Sequence, residues 1–184
     1  EVTNYKYTLA TGFQVSQPRG LIAEGLFKDY DDIRNSAKQT WGDVMPGDIK
    51  YRDVNGDGIV NDKDYVPIGA TNRPNLIYGF GFSAQWKGFD VNVLFQGAGK
   101  STFFIDGYTV YPFKDGDWGN ILTDVVKSNR WILGENEDPN AKYPRLSYGG
   151  NNNNYQSSTY WMRNGSYLRL KNLEVGYTIP KSIV

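Results

Sequence analysis

The sequence predicts an all-β protein whose antiparallel strands are joined by long irregular segments and accompanied by a short helix. Its 184 residues include 14 Tyr, 9 Phe, 5 Trp and 21 Gly, a mixture that favours strands and turns over a helical bundle. Two stretches of alternating apolar and polar residues follow one another across a two-residue turn. No apolar run approaches the roughly 20 residues that a membrane-spanning helix needs.

The composition also excludes several classes of function. Twenty basic residues balance twenty acidic residues, whereas a nucleic-acid-binding surface needs a clustered basic excess. The sequence contains no cysteine, which removes disulfides and thiol nucleophiles, and no histidine, which removes the usual general base. We therefore expect no nucleic-acid partner, no catalytic residue and no enzymatic activity.

The first third of the chain predicts one short helix and one long loop. Residues 1–20 alternate loosely and end in a turn signal, QPRG. Asp29 is placed to cap a helix over residues 31–37, with Asp32 in its first turn complementing the helix dipole. Residues 41–74 are predicted to be a loop.

Residues 75–98 predict a β-hairpin. One face of its first strand is bulky and apolar and carries Leu76, Tyr78, Phe80, Phe82, Ala84 and Trp86. The other face is mostly small or polar. Lys87 and Gly88 then form a tight turn. The second strand keeps the phase, with Phe89, Val91, Val93 and Phe95 on the apolar face.

Two structures account equally well for this hairpin. In a soluble sandwich, the apolar face packs inward against a second sheet. In an outer-membrane barrel it faces lipid, and the polar face lines the lumen. Each strand has the about 9–11 residues that span an outer membrane at a tilt. Trp86 and Phe89 flank the turn, where an aromatic girdle at the membrane surface would lie.

The remainder of the chain predicts a long connection and a final strand. Residues 99–160 form the connection, with one helix in the middle of WGNILTDVVKSNRWIL and a polar run, GGNNNNYQSS. Residues 161–180 read as one extended strand. Leu168 and Leu170 alternate in a different phase from Leu173 onward, which predicts a bulge near residues 171–172 or an upper half that lies outside the bilayer.

Residues 53–64, DVNGDGIVNDKD, have the spacing of a twelve-residue calcium-binding loop. Such a loop supplies oxygen ligands from positions 1, 3, 5, 7, 9 and 12 and turns at a glycine in position 6. Gly58 occupies position 6 here. The predicted ligands are Asp53, Asn55, Asp57, the Ile59 carbonyl, Asn61 and Asp64. Because Pro67 and Gly69 prevent a following helix, we expect a structural calcium ion and no helix-pair switch.

Aromatic residues of the long connection are candidates for stacking on sugar rings. They are Trp118, Trp131, Tyr108, Tyr111 and Tyr155. The alternative is that these rings pack the connection onto itself or lie at the membrane surface.

Short motifs along most of the chain resemble SusC/RagA-type TonB-dependent outer-membrane receptors, in the same order and with the same spacing. The motifs are GLF at 25–27, GDIKYRDVNGDG at 47–58, PIG at 67–69, YGF at 78–80, KGFD at 87–90, FQG at 95–97, YLRLKNL at 167–173, GY at 176–177 and Pro180. The resemblance implies an antiparallel transmembrane barrel of about 22 strands with an N-terminal plug. Residues 1–184 would then be one part of that barrel.

In such a receptor, residues 75–98 and 161–180 would cross the outer membrane of a Gram-negative bacterium in contact with its lipid. Residues 41–74 and 99–160 would be extracellular. The resemblance also implies import of glycans or peptides, a SusD-like surface lipoprotein as partner, and energy from TonB through an N-terminal part that this sequence does not contain. The alternative is a soluble, secreted, calcium-stabilised β-sandwich that binds carbohydrate.

Overall fold

The computed structural model describes residues 5–107, 110–114, 121–127 and 129–180. The chain divides into two units: unit 1 contains Glu1–Gly69 and Phe104–Arg163, and unit 2 contains Ala70–Phe103 and Asn164–Val184. Strands outnumber helices, which confirms the predicted all-β class. Over the described ranges, no helix is both long and apolar enough to cross a membrane.

Unit 1 is built from short paired strands. They are β1 (Arg19–Gly20), β2 (Ala23–Leu26), β3 (Lys38–Gln39), β4 (Ile49–Tyr51), β5 (Ile59–Val60) and β6 (Val66–Pro67). The antiparallel pairs are β1 with β6 and β2 with β4, while β3 and β5 run parallel. The predicted loop over residues 41–74 therefore contains three short strands.

Short helices complete unit 1. The α-helices are α1 (Tyr30–Arg34) and α2 (Thr123–Lys127), and single 3₁₀ turns cover Lys6–Thr8 and Asp62–Asp64. Asp29 caps α1 as predicted, because its carboxylate accepts the Asp32 N–H at 2.7 Å. The helix ends before residue 37, since the Lys38 N–H is already bonded to the Gly58 carbonyl.

The core of unit 1 lies between its short strands and the long connection. Aliphatic and aromatic side chains from both parts are buried together. They include Leu21, Leu26, Ile49, Tyr51, Val60, Val125, Trp131 and Trp161. Residues 104–163 thus supply much of this core, and the connection is packed over most of its described length.

Two further short strands, β9 (Thr102–Phe104) and β10 (Met162–Asn164), pair with each other. Residues 161–180 were predicted to form one strand, and that prediction is wrong at their start. The chain leaves β10 at Gly165, whose N–H donates to the Ser101 carbonyl at 2.8 Å. Asn164 then closes a turn by accepting the Ser166 N–H.

Unit 2 contains an antiparallel sheet of eleven-residue strands, with β8 (Phe89–Gly99) between β7 (Leu76–Trp86) and β11 (Tyr167–Tyr177). The predicted hairpin turn at Lys87 and Gly88 is confirmed. Both residues adopt positive φ angles, 48° and 87°, as a type I′ turn requires. Glycine adopts this conformation without strain, whereas Lys87 is an uncommon residue for it.

The predicted bulge in β11 is confirmed at Lys171. Leu170 pairs with Phe95 and Asn172 pairs with Leu94, so Lys171 is the extra residue. Leu173 then pairs with Val93. The bulge therefore returns the two parts of β11 to the same phase, with their leucines on one face of the sheet.

Candidate functional site

The sheet of unit 2 has one apolar face that is exposed. Cross-strand partners on this face are matched in character: Phe80 stands opposite Phe95, with ring centroids 5.2 Å apart. Phe82 remains 58% exposed and Val175 remains 69% exposed. No second sheet covers this face among the described residues of unit 2. The inward packing expected of a soluble sandwich is thus not found.

The opposite face of the same sheet carries a row of hydrogen-bonded polar side chains. Asn92 of β8 accepts a hydrogen bond from Ser83 at 3.1 Å and donates one to Glu174 at 3.3 Å. Asn172 donates to the second carboxylate oxygen of Glu174 at 2.7 Å. Arg169 donates to Gln96 farther along the sheet. A polar face opposite an apolar one is the pattern of a barrel wall between lumen and lipid.

Aromatic side chains are concentrated at the hairpin turn. The rings of Phe89 and Tyr177 lie 4.6 Å apart across β8 and β11. Trp86 is 70% exposed, and the Lys87 ammonium lies 4.8 Å from the centre of its ring. Such a cluster beside a cation matches the interfacial girdle that sequence analysis predicts at this end.

The acidic loop of residues 53–64 is folded around its first carboxylate. Asp53 accepts the N–H groups of Gly56 and Gly58, each at 2.7 Å. Both glycines have left-handed backbone conformations, with φ of 76° and 80°. Asp57 accepts the Ile59 N–H at 2.9 Å. These bonds turn the chain tightly around the Asp53 carboxylate.

The last residue of this loop joins its two ends. Asp64 is fully buried, and its carboxylate accepts the Val54 N–H at 2.9 Å and the Asn61 N–H at 2.8 Å. Asn61 accepts the Lys63 N–H in return, which completes a capping box over the 3₁₀ turn. Position 12 is therefore held close to position 1 by backbone hydrogen bonds.

The carbonyl predicted as a ligand is not used by the neighbouring strand. The pairing of β5 with β3 involves the carbonyls of Gly58 and Val60, which accept from Lys38 and Thr40. Successive carbonyls of a strand point in opposite directions, so the Ile59 carbonyl points away from β3. The described residues contain no group of three or more His, Cys, Asp or Glu side chains gathered as a metal cluster. The donor set consists of carboxylates, amides and a carbonyl, the mixture of oxygens that calcium accepts.

Known proteins similar to this chain are receptors much longer than it. No family model matches the sequence. Two curated relatives come from Formosa agariphila. TonB-dependent receptor P26 is 29% identical over 172 residues, which cover 94% of this chain and 16% of that receptor. TonB-dependent receptor P3 is 29% identical over 143 residues, which cover 78% of this chain and 13% of that receptor.

Two solved structures share the fold. The RagAB peptide importer in its closed-closed state aligns with a TM-score of 0.56 and 21% identity over 90% of this chain and 16% of that one. In the open-open state the TM-score is 0.53, with 20% identity over 96% of this chain and 18% of that one. The chain is therefore similar, over most of its length, to a segment of SusC/RagA-type TonB-dependent receptors. Its sheet is part of a transmembrane barrel, and its location is the outer membrane of a Gram-negative bacterium.

The described aromatic residues that were expected to stack on sugars are packed within unit 1. Trp131 is 4% exposed and Tyr111 is 5% exposed. Tyr155 is half-buried, stacks on Tyr111 at 4.3 Å and donates its hydroxyl hydrogen to the Pro112 carbonyl. None of the three presents the open ring face that stacking on a sugar requires.

The other two candidates, Tyr108 and Trp118, lie outside the residues that the structure describes. For the three described rings, the alternative interpretation from the sequence, packing of the connection onto itself, agrees with the contacts observed.

A buried carboxylate in unit 1 forms a hydrogen-bonded cluster that the sequence did not predict. Asp48 is fully buried and accepts hydrogen bonds from the side-chain amides of Asn151 and Asn154, each at 2.9 Å. Arg145 donates to it from a terminal nitrogen at 3.0 Å. The Nε of Arg145 lies 2.7 Å from the other oxygen, an ion-pair contact without hydrogen-bond alignment. The Met45 N–H completes the set.

The asparagine run 151–154 also binds the backbone of β4. The side chain of Asn154 accepts the Ile49 N–H at 2.8 Å, and that of Asn153 donates to the Ile49 carbonyl at 2.9 Å. Gln39 accepts the Tyr51 N–H in the same way. An amide side chain can donate and accept hydrogen bonds at the same time, so it can pair with the backbone N–H and C=O groups that a neighbouring strand would otherwise bind. Four consecutive asparagines were a signal for this role.

Proposed function

We propose that this segment is part of the wall of an outer-membrane importer that takes up glycans or peptides. The observation that carries the proposal is the three-stranded sheet, which exposes an apolar face on one side and a polar face on the other. The apolar face is stable in contact with lipid, and the polar face is stable in contact with a water-filled lumen. Import, substrate and partners are properties of the whole receptor, of which this chain spans about one-sixth.

The proposed partners are TonB, which would supply the energy, and a SusD-like surface lipoprotein, which would capture the substrate. Support comes from the names of the relatives, which are TonB-dependent receptors, and from the fold shared with a peptide importer. Peptide is the cargo named for that importer. Glycan is the alternative that the sequence motifs imply for the family.

Growth of the source bacterium tests this proposal. A strain without the full-length receptor is compared with the wild type on single peptide mixtures and single glycans as nutrient. We expect the strain to lose growth on one nutrient class and to recover it when the intact gene is returned. A second strain without TonB should lose the same growth. Undiminished growth on every peptide and glycan supplied would contradict the importer function.

We also propose that residues 53–64 bind one structural calcium ion, which would stiffen this part of unit 1. Asp53, Asn55, Asp57, the Ile59 carbonyl, Asn61 and Asp64 would hold it. The support is the tight turn of the loop around the Asp53 carboxylate, the direction of the Ile59 carbonyl and the oxygen-only donor set. The ion would offset the repulsion among the three ligand carboxylates, Asp53, Asp57 and Asp64.

Calorimetric titration of the full-length receptor with calcium chloride tests this site. The Asp57→Asn variant removes one ligand charge and should bind calcium at least about tenfold more weakly than the wild type, because charged ligands set the affinity. The Asp62→Asn variant is the matched control, since Asp62 lies at position 10 and is not a predicted ligand. Equal affinities in all three proteins would show that the ligands are assigned incorrectly.

A further inference from the structure

Unit 1 contains a cavity of about 340 Å³ with mostly apolar walls. The walls come from α1 and from three irregular segments of the same unit. The apolar residues that line it are Tyr30, Met45, Pro46, Ile132, Leu133 and Leu146. Tyr30, Met45 and Leu133 are large side chains that are exposed to solvent. Binding sites for small molecules have volumes of about 300–1,000 Å³, so this cavity suits a short ligand.

Backbone contacts between the wall segments fix the shape of the cavity. The Gly47 carbonyl accepts the Arg145 N–H at 3.0 Å, which joins the segment of Met45 to that of Leu146. Gly47 has a φ of 86°, and a Cβ there would lie 2.3 Å from ring atoms of Trp131. The absence of a side chain at this position lets the Trp131 ring pack directly on the backbone. The cavity is therefore preformed, as ligand sites usually are.

The polar wall of the cavity offers hydrogen-bond donors. Arg130, Arg145 and Trp131 line it, and no acidic side chain is among the described residues that do so. The indole N–H of Trp131 is buried and has no hydrogen-bond partner within the described part of the chain. Guanidinium and indole groups donate hydrogen bonds and do not accept them. A ligand that matches this wall therefore has to supply acceptors.

Arg130 is the cation in this wall that remains available to a ligand. Arg145 is already paired with the buried carboxylate of Asp48. Arg130 forms no ion pair with any residue that the structure describes, and one of its terminal nitrogens donates to the Val126 carbonyl at 3.1 Å. The wall thus carries one positive charge that is not neutralised within the described residues, and its charge is complementary to an anion.

The combination of apolar walls and one free cation selects among the possible cargoes. A glycan would place hydroxyl groups against apolar walls, where they would lose their hydrogen bonds to water without replacement. The last residue of a peptide can carry an apolar side chain and always ends in a carboxylate, unless it is modified. A carboxylate supplies only acceptors, and arginine binds it through parallel hydrogen bonds.

We propose that this cavity binds the carboxyl-terminal residue of a peptide. Arg130 binds the terminal carboxylate, and Ile132 and Leu133 contact the apolar side chain. The inference deepens the proposed import function and rests on it for the origin of the peptide, which would be cargo. Its consequence is a preference for peptides over glycans and, among peptides, for those that end in an apolar residue.

Calorimetry on the full-length receptor in detergent tests the binding of the carboxylate. The two probes are the peptide Gly-Gly-Gly-Leu and the same peptide with its terminal carboxyl group converted to an amide. We expect the acid to bind at least about tenfold more tightly than the amide, because a hydrogen bond to a charged group is stronger than one to a neutral group.

Two variants with matched controls separate recognition of the carboxylate from recognition of the side chain. Arg130→Gln should bind the acid and the amide equally, whereas Arg34→Gln should keep the preference, because Arg34 is exposed and does not line the cavity. Leu133→Ala should weaken both probes by about 3-fold and keep the preference, because it removes apolar contact only. Leu122→Ala, which changes an exposed leucine outside the cavity, should bind both probes like the wild type.

The outcomes separate this inference from the import function. Equal binding of the acid and the amide by the wild type, or a preference that Arg130→Gln retains, would overturn it. Absence of binding of both probes would also overturn it, even if the growth experiment shows import. If the receptor binds the acid as expected but its loss leaves growth on every nutrient unchanged, the cavity is a peptide site and the import function fails.

Discussion

Unit 1 buries polar side chains, whereas unit 2 exposes large apolar ones. Unit 1 buries charged and amide groups, among them Asp48, Asn153 and Asn154, at no more than 1% exposure. Unit 2 exposes large apolar groups such as Phe80 and Phe82 on a regular sheet. The first arrangement is stable only when every polar group has a partner. The second is stable only in a solvent that is itself apolar. The difference therefore identifies the solvent of each unit.

The largest effect that we expect comes from the buried carboxylate of unit 1. Asp48→Ala in the full-length receptor removes the fully buried partner of Arg145, whose own side chain is 20% exposed, and should cost about 3–5 kcal/mol. Hydrogen–deuterium exchange should become much faster in residues 45–51 and 144–155. Asp43→Ala is the control, because Asp43 is exposed and close in sequence.

Unchanged exchange in Asp48→Ala would mean that apolar packing alone holds the asparagine run against β4. The contrast between a polar interior in unit 1 and an apolar exterior in unit 2 would then lose its energetic basis.

The second effect concerns the two faces of the sheet in unit 2. Phe82→Arg places a charge on the apolar face and should destabilise the folded barrel by about 2–4 kcal/mol if that face meets the middle of the bilayer. Ser83→Arg, one residue along the same strand, points to the polar face and should have little effect. The measurement is the urea concentration at which each full-length variant unfolds in phospholipid vesicles. Equal midpoints for the two variants would rule out a lipid-facing assignment.

The smallest effect concerns an ion pair at the edge of unit 1. Lys50 and Asp32 lie 2.7 Å apart and are about one-quarter exposed, 26% and 22%. Burial opposes the charged form of Asp32, but the hydrogen bonds from Lys50 and from the Lys28 N–H outweigh it and lower the pKa of this carboxyl below 3.8. Because the pKa is lower in the folded state, the pair stabilises the protein above about pH 4, and the stabilisation is lost as the pH falls through the folded-state pKa.

Lys50→Met should therefore destabilise α1 at pH 7 by less than about 1 kcal/mol, since partly exposed pairs contribute little. The difference from the wild type should shrink as the pH is lowered below 3.8. This stability difference is measured by hydrogen–deuterium exchange of residues 29–36 in the full-length receptor. The exchange rates are corrected for the intrinsic rate at each pH. A difference that stays constant from pH 7 to pH 2 would assign the effect to the contact of the Lys50 ammonium with the ring of Phe27.

The strands with a strict apolar–polar alternation were predictable from the sequence, whereas hydrogen bonds between residues far apart in the sequence were not. The hairpin of β7 and β8, its turn and the bulge in β11 follow from period-two patterns within a few residues. The hydrogen bonds of Asn153 and Asn154 join positions more than 100 residues apart. The run of four asparagines signals a polar cluster, but it does not indicate which backbone groups the cluster binds. The break at Gly165 depends on Ser101 in the same way.

In the candidate site, too, local features were predictable from the sequence and long-range packing was not. The turn geometry of the acidic loop follows from its spacing and its glycines. Burial of Trp131 and Tyr111 depends on the packing of the long connection onto β4 and its neighbours, which an aromatic composition does not reveal.

The extra residue at Lys171 affects how such receptors are found in genomes. A search for strands by uninterrupted alternation would split β11 into two pieces of four and six residues, each shorter than the about 9–11 residues needed to cross an outer membrane. Both pieces would be discarded, although together they form one continuous apolar wall. Strand counts obtained from sequence alone are therefore biased downward for barrels that contain bulges, and allowing one skipped residue per strand would restore the count.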